Sequence, residues 1–497
     1  MTDYTQIEAE VDAVADVILD MASKVWTFAE LGFQEIKSSA LEAAVLEKHG
    51  FAISDRGIGG IDTSWIATWG SGSPVIGFLV EFDALPGLGN EPVPTKTPRK
   101  DGVTNGHGCG HNLIGSGAIG AALALKAHME KTGIPGTIKV FGCPAEELLA
   151  GKNYMAQAGA FDGLDACLHH HPGPMTAALN FHTTAAMDLT IEWQGTTAHS
   201  GQAPWDGRSS VQAAQLFLHG VDMMREHILP TARMHYYMAD GGNAVNVVPD
   251  YAKVVFRYRG PSTDNVLQNV AWVRDIAKGA GLATQTQEKI TTLTGIYDLL
   301  PNMVLAERIT EHLNRHFPIA WTEEEQAFAR SIQKEMGKPE DGMATTVLPT
   351  PQAPEAGGST EVGDVSWVTP TMGTLFSAWP QNISPHQWGC TATHGMSIGH
   401  KAVIRAAHVL AAMGLDLMTE AEMREAARAE FDQRRGGKVY QSINVTQAPL
   451  GGELERDMRH GYDCAIHCAE EYLGISPDSD APRRDCAEEY RIGRQQG

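Results

Sequence analysis

The chain has 497 residues, enough for several domains and a large buried core. Asp and Glu total 60 against 38 Lys and Arg, which gives a formal net charge of −22. Nucleic acids and anionic membrane surfaces require clustered positive charge, so this composition argues against both as partners.

The number of cysteines and the pattern of residues 1–20 indicate the cellular compartment of the protein. Seven cysteines are an odd number spread over a long chain, which does not favour a disulfide framework. Residues 1–20 alternate acidic and apolar side chains and lack the basic and apolar regions of a secretory signal. We therefore expect a cytoplasmic protein whose cysteines are candidate metal ligands or nucleophiles.

The first half of the chain alternates helical periodicity with short apolar runs. The predicted helices and strands here are helices 3–26, 39–49 and 113–131, and strands 74–80, 137–141 and one starting at 165. Strand, helix and strand in this rhythm imply right-handed crossovers. The sequence thus predicts an α/β fold with a mainly parallel sheet and flanking helices.

A second pattern occupies residues 186–295. Its predicted elements are strands 187–193, 232–238, 251–259 and 283–292, and helices 210–229 and 263–279. The order βαββαβ is that of a ferredoxin-like sandwich. We predict that this unit is inserted into a discontinuous domain formed by residues 1–185 and 296–497.

The later part of the chain carries fewer signals. Residues 337–358 are rich in proline and predict a surface loop, and residues 396–418 predict an amphipathic helix. A C-terminal extension begins at about residue 436, where the pattern weakens. Cys464, His467 and Cys468 lie in it. A metal site is the alternative, but because no second cysteine pair accompanies them we interpret Cys464 and Cys468 as half-buried thiols of a terminal helix.

The densest chemical cluster is residues 105–112, NGHGCGHN. Cys109 and His111 are two residues apart, so in extended backbone both side chains leave on the same side. Thiolate and imidazole are the ligands that zinc favours. The alternative is a glycine-rich turn with incidental polar residues.

Three predicted parallel strands end in acidic or imidazole groups. Asp83 follows the first strand, the pair Glu146 and Glu147 follows the second, and residues 169–171, all histidine, follow the third. Ligands of open α/β sheets bind outside the carboxyl ends of the strands, so these groups predict a metal site. A dication would neutralise one of the adjacent glutamates and leave the other as a general base.

These motifs resemble a known family across residues 25–412. The matching segments are 81–85, 106–112, 142–147, 165–172, 195–200, 243–249, 359–367 and 386–400. They resemble the co-catalytic metallopeptidases that include carboxypeptidase G, the auxin-conjugate hydrolases and hippurate hydrolase. The resemblance implies a zinc-peptidase-like α/β domain with an inserted βαββαβ dimerisation, or lid, domain.

The resemblance also implies a set of catalytic and metal-binding roles. The implied metal ligands are Cys109, as the bridging ligand, with His111, Glu147, His171 and His386. Glu146 matches the general base, and Asp83 matches the residue that orients a ligand. His400 fits the same motif as His386 and is the reserve candidate for the last ligand or a substrate contact. His169 and His170 are not expected to be ligands.

Three residues of the inserted domain match substrate-binding positions. His199 matches the histidine that reaches the partner's active site across a dimer, where it would stabilise the oxyanion. Asn246 and Arg259 match groups that hold the substrate's carboxylate, for which a guanidinium fork is well suited. Arg257 lies on the same strand face as Arg259, and we interpret it as part of a solvated face.

The sequence therefore predicts a metal-dependent amidohydrolase. Two divalent ions per chain, zinc or else manganese, would serve the cleavage of an N-acyl or N-aroyl amino acid or a dipeptide-like substrate. We expect a homodimer formed through the inserted domain. The alternatives are a non-catalytic or co-catalytic subunit that works with a related second subunit, and a dipeptidase or aminopeptidase that uses the same metal site.

Overall fold

The computed structural model describes residues 3–316, 319–354 and 357–444. Its helices are α1 Thr5–Ala13, α2 Ala15–Phe28, α3 Ile36–Lys48, α4 His111–Thr132, α5 Lys152–Gln157, α6 Ser210–Met224, α7 Thr263–Thr284, α8 Met303–His316, α9 Glu323–Glu335, α10 Val362–Val368, α11 Trp388–His394, α12 Ser397–Thr419 and α13 Ala421–Arg435. The helix predicted at residues 3–26 is two helices that break at Val14. Within the described residues, the predicted loop 337–358 contains neither helix nor strand.

A seven-stranded sheet organises the larger part of the chain. Its strands are β1 Ala52–Arg56, β2 Trp65–Ser71, β3 Val75–Val80, β4 Gly136–Gly142, β5 Ala166–Gly173, β6 Ala177–Ala178 and β11 Thr371–Ser377, in the order β1-β2-β4-β3-β5-β11-β6. The four central strands, β4-β3-β5-β11, are parallel, as predicted. The strands at both edges pair antiparallel, so the sheet as a whole is mixed.

The centre of this sheet is buried on both faces. β3, with the sequence VIGFLV, is buried along almost its whole length, as its continuous apolar run predicts. α4 and α12 pack together in the same apolar core. By length and composition α12 is apolar enough to cross a membrane, but 83% of its apolar window is buried inside the protein. We therefore assign α12 as a core helix.

A second, four-stranded antiparallel sheet forms a separate layer with its own core. Its strands are β7 Ala185–Gln194, β8 Arg233–Asp240, β9 Tyr251–Gly260 and β10 Gln287–Ile296, in the order β10-β7-β9-β8. α6 and α7 cover one face, and the element order is the βαββαβ of the prediction. β10 begins four residues later than predicted because α7 continues to Thr284.

The two sheets meet at one end of β7 and β10. Leu149, Ala186 and Ile296 form a small apolar cluster there, and the Asn153 side chain donates to Thr294 Oγ1 at 2.8 Å. The described part of the C-terminal extension docks at the same place, where the Asn444 side chain bonds the backbone of Gly295. Cys464, His467 and Cys468 lie outside the described residues.

Candidate metal centre

A glycine places the first two predicted ligands. Gly110, between Cys109 and His111, has φ +89° and ψ 28°, so the backbone turns here and the predicted extended geometry is wrong. A Cβ on Gly110 would lie 2.7 Å from Pro172 Cγ, so a side chain is excluded by space as well as by conformation. His111 follows as the first residue of α4, and its imidazole still converges with the Cys109 thiol.

Asp83 orients the His111 ring. Asp83 Oδ1 lies 2.8 Å from His111 Nδ1, and both side chains are fully buried. The other oxygen of Asp83 accepts a hydrogen bond from the backbone N–H of Glu147 at 3.0 Å. Burial opposes charge on the His111 ring, but the Asp83 carboxylate and the Cys109 side chain together outweigh burial and raise the pKa of His111 above its usual value. Asp83 thereby links two predicted ligand segments and leaves His111 Nε2 facing inward.

The five predicted ligands form two groups that share Cys109. One group is Cys109, His111 and His171, and the other is Cys109, Glu147 and His386; within each group the ligand atoms all lie within 4.8 Å of one another. Cys109 Sγ is 3.2 Å from His171 Nε2, and Glu147 Oε2 is 3.4 Å from His386 Nε2. A shared thiolate between two three-ligand groups is an arrangement that can bridge two cations.

The chemistry of the cluster fits such cations. His111 Nε2 and Glu147 Oε1 are buried and have no hydrogen-bond partner among the described residues. Leaving buried polar atoms unpaired costs about 1–3 kcal/mol each, and a metal ion would remove that cost. Burial also raises the pKa of the Cys109 thiol, so its thiolate form needs a nearby positive charge.

A strained turn presents the two adjacent glutamates. Glu146 and Glu147 lie in a single 3₁₀ turn, flanked by Ala145 at φ +55° and Leu149 at φ +54°. Left-handed backbone at a residue other than glycine costs on the order of 1–3 kcal/mol and is concentrated at functional sites. Burial, reinforced by the nearby Glu81 carboxylate, raises the pKa of Glu146 to about 8. The pKa of Glu147 rises to about 7, mainly through burial.

Three other histidines from the sequence prediction lie outside these groups. His169 and His170 are buried in β5, and His170 Nε2 lies 3.1 Å from the carbonyl oxygen of Ile114. His400 lies on α12, with Nε2 3.4 Å from Ser23 Oγ. In the described part of the chain, none of the three belongs to a cluster of candidate ligands.

The predicted substrate-binding residues lie at opposite ends of the second sheet. His199 is exposed beyond the far end of β7, and Asn246 is beside it, since the Ser200 N–H donates to the Asn246 carbonyl at 3.1 Å. Arg259 lies near the junction of the sheets and donates to Ser359 Oγ at 2.5 Å. The strand between them spans roughly 26 Å at about 3.3 Å per residue. His199 and Asn246 are thus far from Arg259 within one chain.

Arg257 is not part of a solvated face, so that interpretation is wrong. Its guanidinium makes two hydrogen bonds to the Asp188 carboxylate, at 2.6 and 2.7 Å, and its side chain is 27% exposed. The Glu146 carboxylate acts electrostatically on both Arg257 and Arg259. Arg257 is therefore ion-paired and only partly exposed rather than freely solvated.

A buried ion-pair network behind the cluster was not predicted from the sequence. Lys152 is completely buried, with Nζ 2.8 Å from Glu81 Oε1 and 3.1 Å from Glu361 Oε1. Burial opposes ionisation of Glu81, but the Lys152 ammonium and the His111 ring together outweigh it and lower the pKa of Glu81 to about 2. The sequence carries one indication of this network, because Glu81 lies at the carboxyl end of β3, two residues before Asp83. A lysine inside a short buried helix carries no comparable signal.

Comparisons with known proteins identify the family. The model described as peptidase family M20/M25/M40 matches residues 77–298. A subunit of the p-aminobenzoyl-glutamate hydrolase of Escherichia coli (strain K12) is 32% identical over 90% of this chain and 99% of its own length. The chain belongs to this family. The Xaa-Arg dipeptidase of Mus musculus is 28% identical over 85% of this chain and 90% of its own length.

A solved structure shares the fold. A dinuclear metal-binding peptidase of the M20 family from Bacillus subtilis aligns with 81% of this chain and 99% of its own, with a TM-score of 0.55 and 18% identity. Membership of the M20 family makes the chain a metal-dependent amidohydrolase, as the sequence predicted. The two ligand groups around Cys109 are its candidate dinuclear metal centre.

Proposed function

We propose that the chain hydrolyses the amide bond of an N-acyl or N-aroyl amino acid, such as aminobenzoyl-glutamate, and releases the free amino acid. The observation that carries the proposal is the pair of ligand groups sharing Cys109, with Glu146 beside them. The name of the Escherichia coli relative supports an aroyl-glutamate substrate. The name of the mouse relative favours a second candidate, the hydrolysis of dipeptides.

Cys109, His111 and His171 would hold one divalent ion, and Cys109, Glu147 and His386 the other. Zinc is our first choice and manganese the second, because thiolate and imidazole favour zinc. When bound, the two ions supply a Lewis acid and an activated water.

Glu146 serves as the proton carrier in this proposal. Its carboxylate would accept the proton of the attacking water and deliver it to the leaving nitrogen. Burial favours its protonated form, which suits a group that must hold a proton between two transfers. Glu146 Oε2 is 3.7 Å from His111 Nε2, so the carboxylate stands next to the candidate ligands without displacing them.

We assign recognition of the substrate's carboxylate to Arg259, with Asn246 and His199 contributed by a second copy of the chain. The roughly 26 Å along β9 between the two ends supports this division, because one bound substrate cannot touch both ends within a single chain. Exposed apolar side chains on the second sheet and its turns support a homodimer. Trp205 is 71% exposed, and β8 is an edge strand.

A partner subunit and a cellular location complete the proposal. The Escherichia coli relative is itself one subunit of a hydrolase, which supports a related second subunit as a partner. The complete ligand groups and the neighbouring base support catalysis by this chain itself. A cytoplasmic location is supported by the free thiols of Cys109, Cys143, Cys167 and Cys390 among the described residues.

Metal analysis combined with a substrate screen tests the proposed function. The purified protein should carry close to two divalent ions per chain, lose activity on chelation, and regain it with zinc or manganese. Cys109→Ala should lower the metal content, whereas Cys390→Ala, at a buried thiol outside the site, should not. Activity on N-acyl and N-aroyl amino acids should exceed activity on Xaa-Arg dipeptides. Full activity without bound metal would refute the proposal.

A further inference from the structure

The second sheet is joined to the rest of the chain by two covalent connections at one end. One connection enters β7 at Ala185, and the other leaves β10 at Ile296. β7 and β10 are antiparallel neighbours, so both connections lie at the same end of the sheet. A unit attached in this way can tilt about its attachment unless further contacts hold it.

A segment of the C-terminal extension makes a third link, which we call the strap and define as residues 438–444. It follows α13 and contains neither helix nor strand. The Tyr440 hydroxyl donates to the buried Asp364 carboxylate of α10 at 2.8 Å, and the Tyr440 ring lies 5.0 Å from that of Tyr297. The Tyr297 hydroxyl donates to the carbonyl oxygen of Gln441 at 2.8 Å. These contacts fix the middle of the strap beside α10.

The end of the strap holds the free edge of β10. β10 is an edge strand, so its outward backbone groups have no neighbouring strand to pair with. The Gly295 N–H donates to Asn444 Oδ1 at 2.6 Å, and Asn444 Nδ2 donates to the Gly295 carbonyl at 3.0 Å. The same carbonyl also accepts a hydrogen bond from Asn153 at 3.1 Å. The Asn444 amide thus pairs with Gly295 as a residue of a further strand would.

Gly295 leaves room for the strap. A Cβ on Gly295 would lie 2.8 Å from Ile443 Cγ1, and Ile443 packs against the apolar core of the second sheet. The strap also contacts this unit through Lys438 and Asp264, but both side chains are largely exposed, and such ion pairs contribute little. Ile443 and Asn444 are therefore the residues through which the strap holds the second sheet.

The chain segment that anchors the strap also holds the opposite side of the junction. The Thr184 N–H, just before β7, donates to the Gly358 carbonyl at 2.9 Å, and Arg259 donates to Ser359 Oγ at 2.5 Å. Residues 358–359 lead directly into α10, which carries Asp364. Residues 358–364 thus contact the second sheet directly at Arg259 and, through Tyr440 of the strap, at β10.

We propose that the strap fixes the angle between the two sheets and thereby sets the position of Arg259 relative to the metal centre. The mechanical part of this inference is independent of the reaction, and the consequence for Arg259 rests on the proposed function. Releasing the strap should let the second sheet tilt. A substrate carboxylate would then be held less well, while the metal centre of the first sheet stays intact.

Hydrogen exchange on the full chain tests the mechanical part. Asn444→Ala removes both side-chain bonds to Gly295, and mass spectrometry follows peptides covering residues 291–297 and 182–186. Both peptides should exchange at least about 5-fold faster, the factor expected from losing two ordinary hydrogen bonds. The second peptide is diagnostic because its bond, from Thr184 to Gly358, does not involve the strap.

Two further variants complete this test. Ile443→Ala removes packing but keeps the Asn444 amide, and it should speed exchange in both peptides as well. Val439→Ala changes a strap residue that is 75% exposed and should leave both peptides unchanged. If Asn444→Ala and Ile443→Ala speed exchange only in residues 291–297, the strap merely caps the edge of β10, and the proposal is overturned.

Kinetics test the consequence for Arg259. Asn444→Ala should raise KM for substrates with a free carboxylate, by less than the roughly 10–150-fold expected for losing the Arg259 contact altogether. The matching amide substrates and the metal content should change little. If wild type prefers the acid substrates and Asn444→Ala keeps that preference in full, the strap does not position Arg259, and the inference fails. If wild type shows no such preference, the carboxylate role of Arg259 fails instead, and the exchange result alone decides the mechanical part.

Discussion

The first sheet carries the ligand groups around Cys109 at the carboxyl ends of its central strands, which we call its rim. This rim and the body of the second sheet differ in how their polar groups are paired. In the second sheet, Arg257 is paired with Asp188, and the Tyr251 hydroxyl donates to Glu192 at 2.6 Å. At the rim, His111 and Glu147 carry buried atoms without protein partners in the described structure. The second sheet satisfies its polar groups internally, whereas the rim is incomplete without an external cation. The unpaired ligand atoms at this rim are therefore where the chain would take up a cation.

The largest effect is expected from substituting the two adjacent glutamates of the rim one at a time. Glu146→Gln should keep the fold and the bound metal but lower kcat by about 10²–10⁴-fold or more, because a general base is removed. Glu147→Gln should instead lower the metal content, because a ligand is removed. Kinetics and metal analysis on both variants measure the split. The reverse pattern would mean that base and ligand are exchanged.

The sequence predicts the features that local patterns encode and misses those that join distant segments. β3 and β7 were predictable because their apolar patterns are local and follow from burial on two faces or on one. The Cys109–His111 cluster was predictable because ligand types recur at short spacing. The Glu81–Lys152 pair was not, since it joins distant segments through burial, which no local pattern encodes. The resemblance to a known family supplied the role of His386, which spacing alone does not assign.

A cavity in the core of the second sheet should destabilise that sheet without lowering the metal content of the protein. Phe217 packs against Trp193 and Phe256 in the core under β7 and β9, with ring centroids 5.4 and 6.1 Å apart. Phe217→Ala should destabilise this sheet by about 3–5 kcal/mol through a cavity. Hydrogen exchange of the β7 amides measures that loss, and metal analysis should still find two ions per chain. Loss of metal would show that destabilising the second sheet also disrupts the metal centre of the first.

A smaller effect is expected where the second sheet faces the rim. Arg259→Ala should raise KM for substrates with a free carboxylate by about 10–150-fold, since a charge-assisted hydrogen bond is worth roughly 1.5–3 kcal/mol. The matching amide substrates should be little affected. Arg274→Ala is the control, because Arg274 is a half-buried arginine of the same sheet region that bonds Thr292 instead. Equal effects on acid and amide substrates would exclude Arg259 as the carboxylate contact.

The last prediction concerns the far end of the second sheet. β7 spans ten residues, about 30 Å at roughly 3.3 Å per residue, between the junction of the sheets and the turn that carries His199. The His199 ring accepts hydrogen bonds only from the nearby backbone of Gly201 and Gln202 among the described contacts. An oxyanion role for His199 therefore requires the active site of a second copy.

Mixed dimers test this requirement. Glu146→Gln and His199→Ala chains, each inactive as homodimers, should regain activity when allowed to exchange. One of the two sites in each mixed dimer then combines wild-type Glu146 from one chain with wild-type His199 from the other. Such a dimer should reach up to half of wild-type activity, because its second site carries both substitutions. If the chains demonstrably exchange and the mixture stays inactive, His199 does not act across the dimer, and the far end of the second sheet takes no part in catalysis.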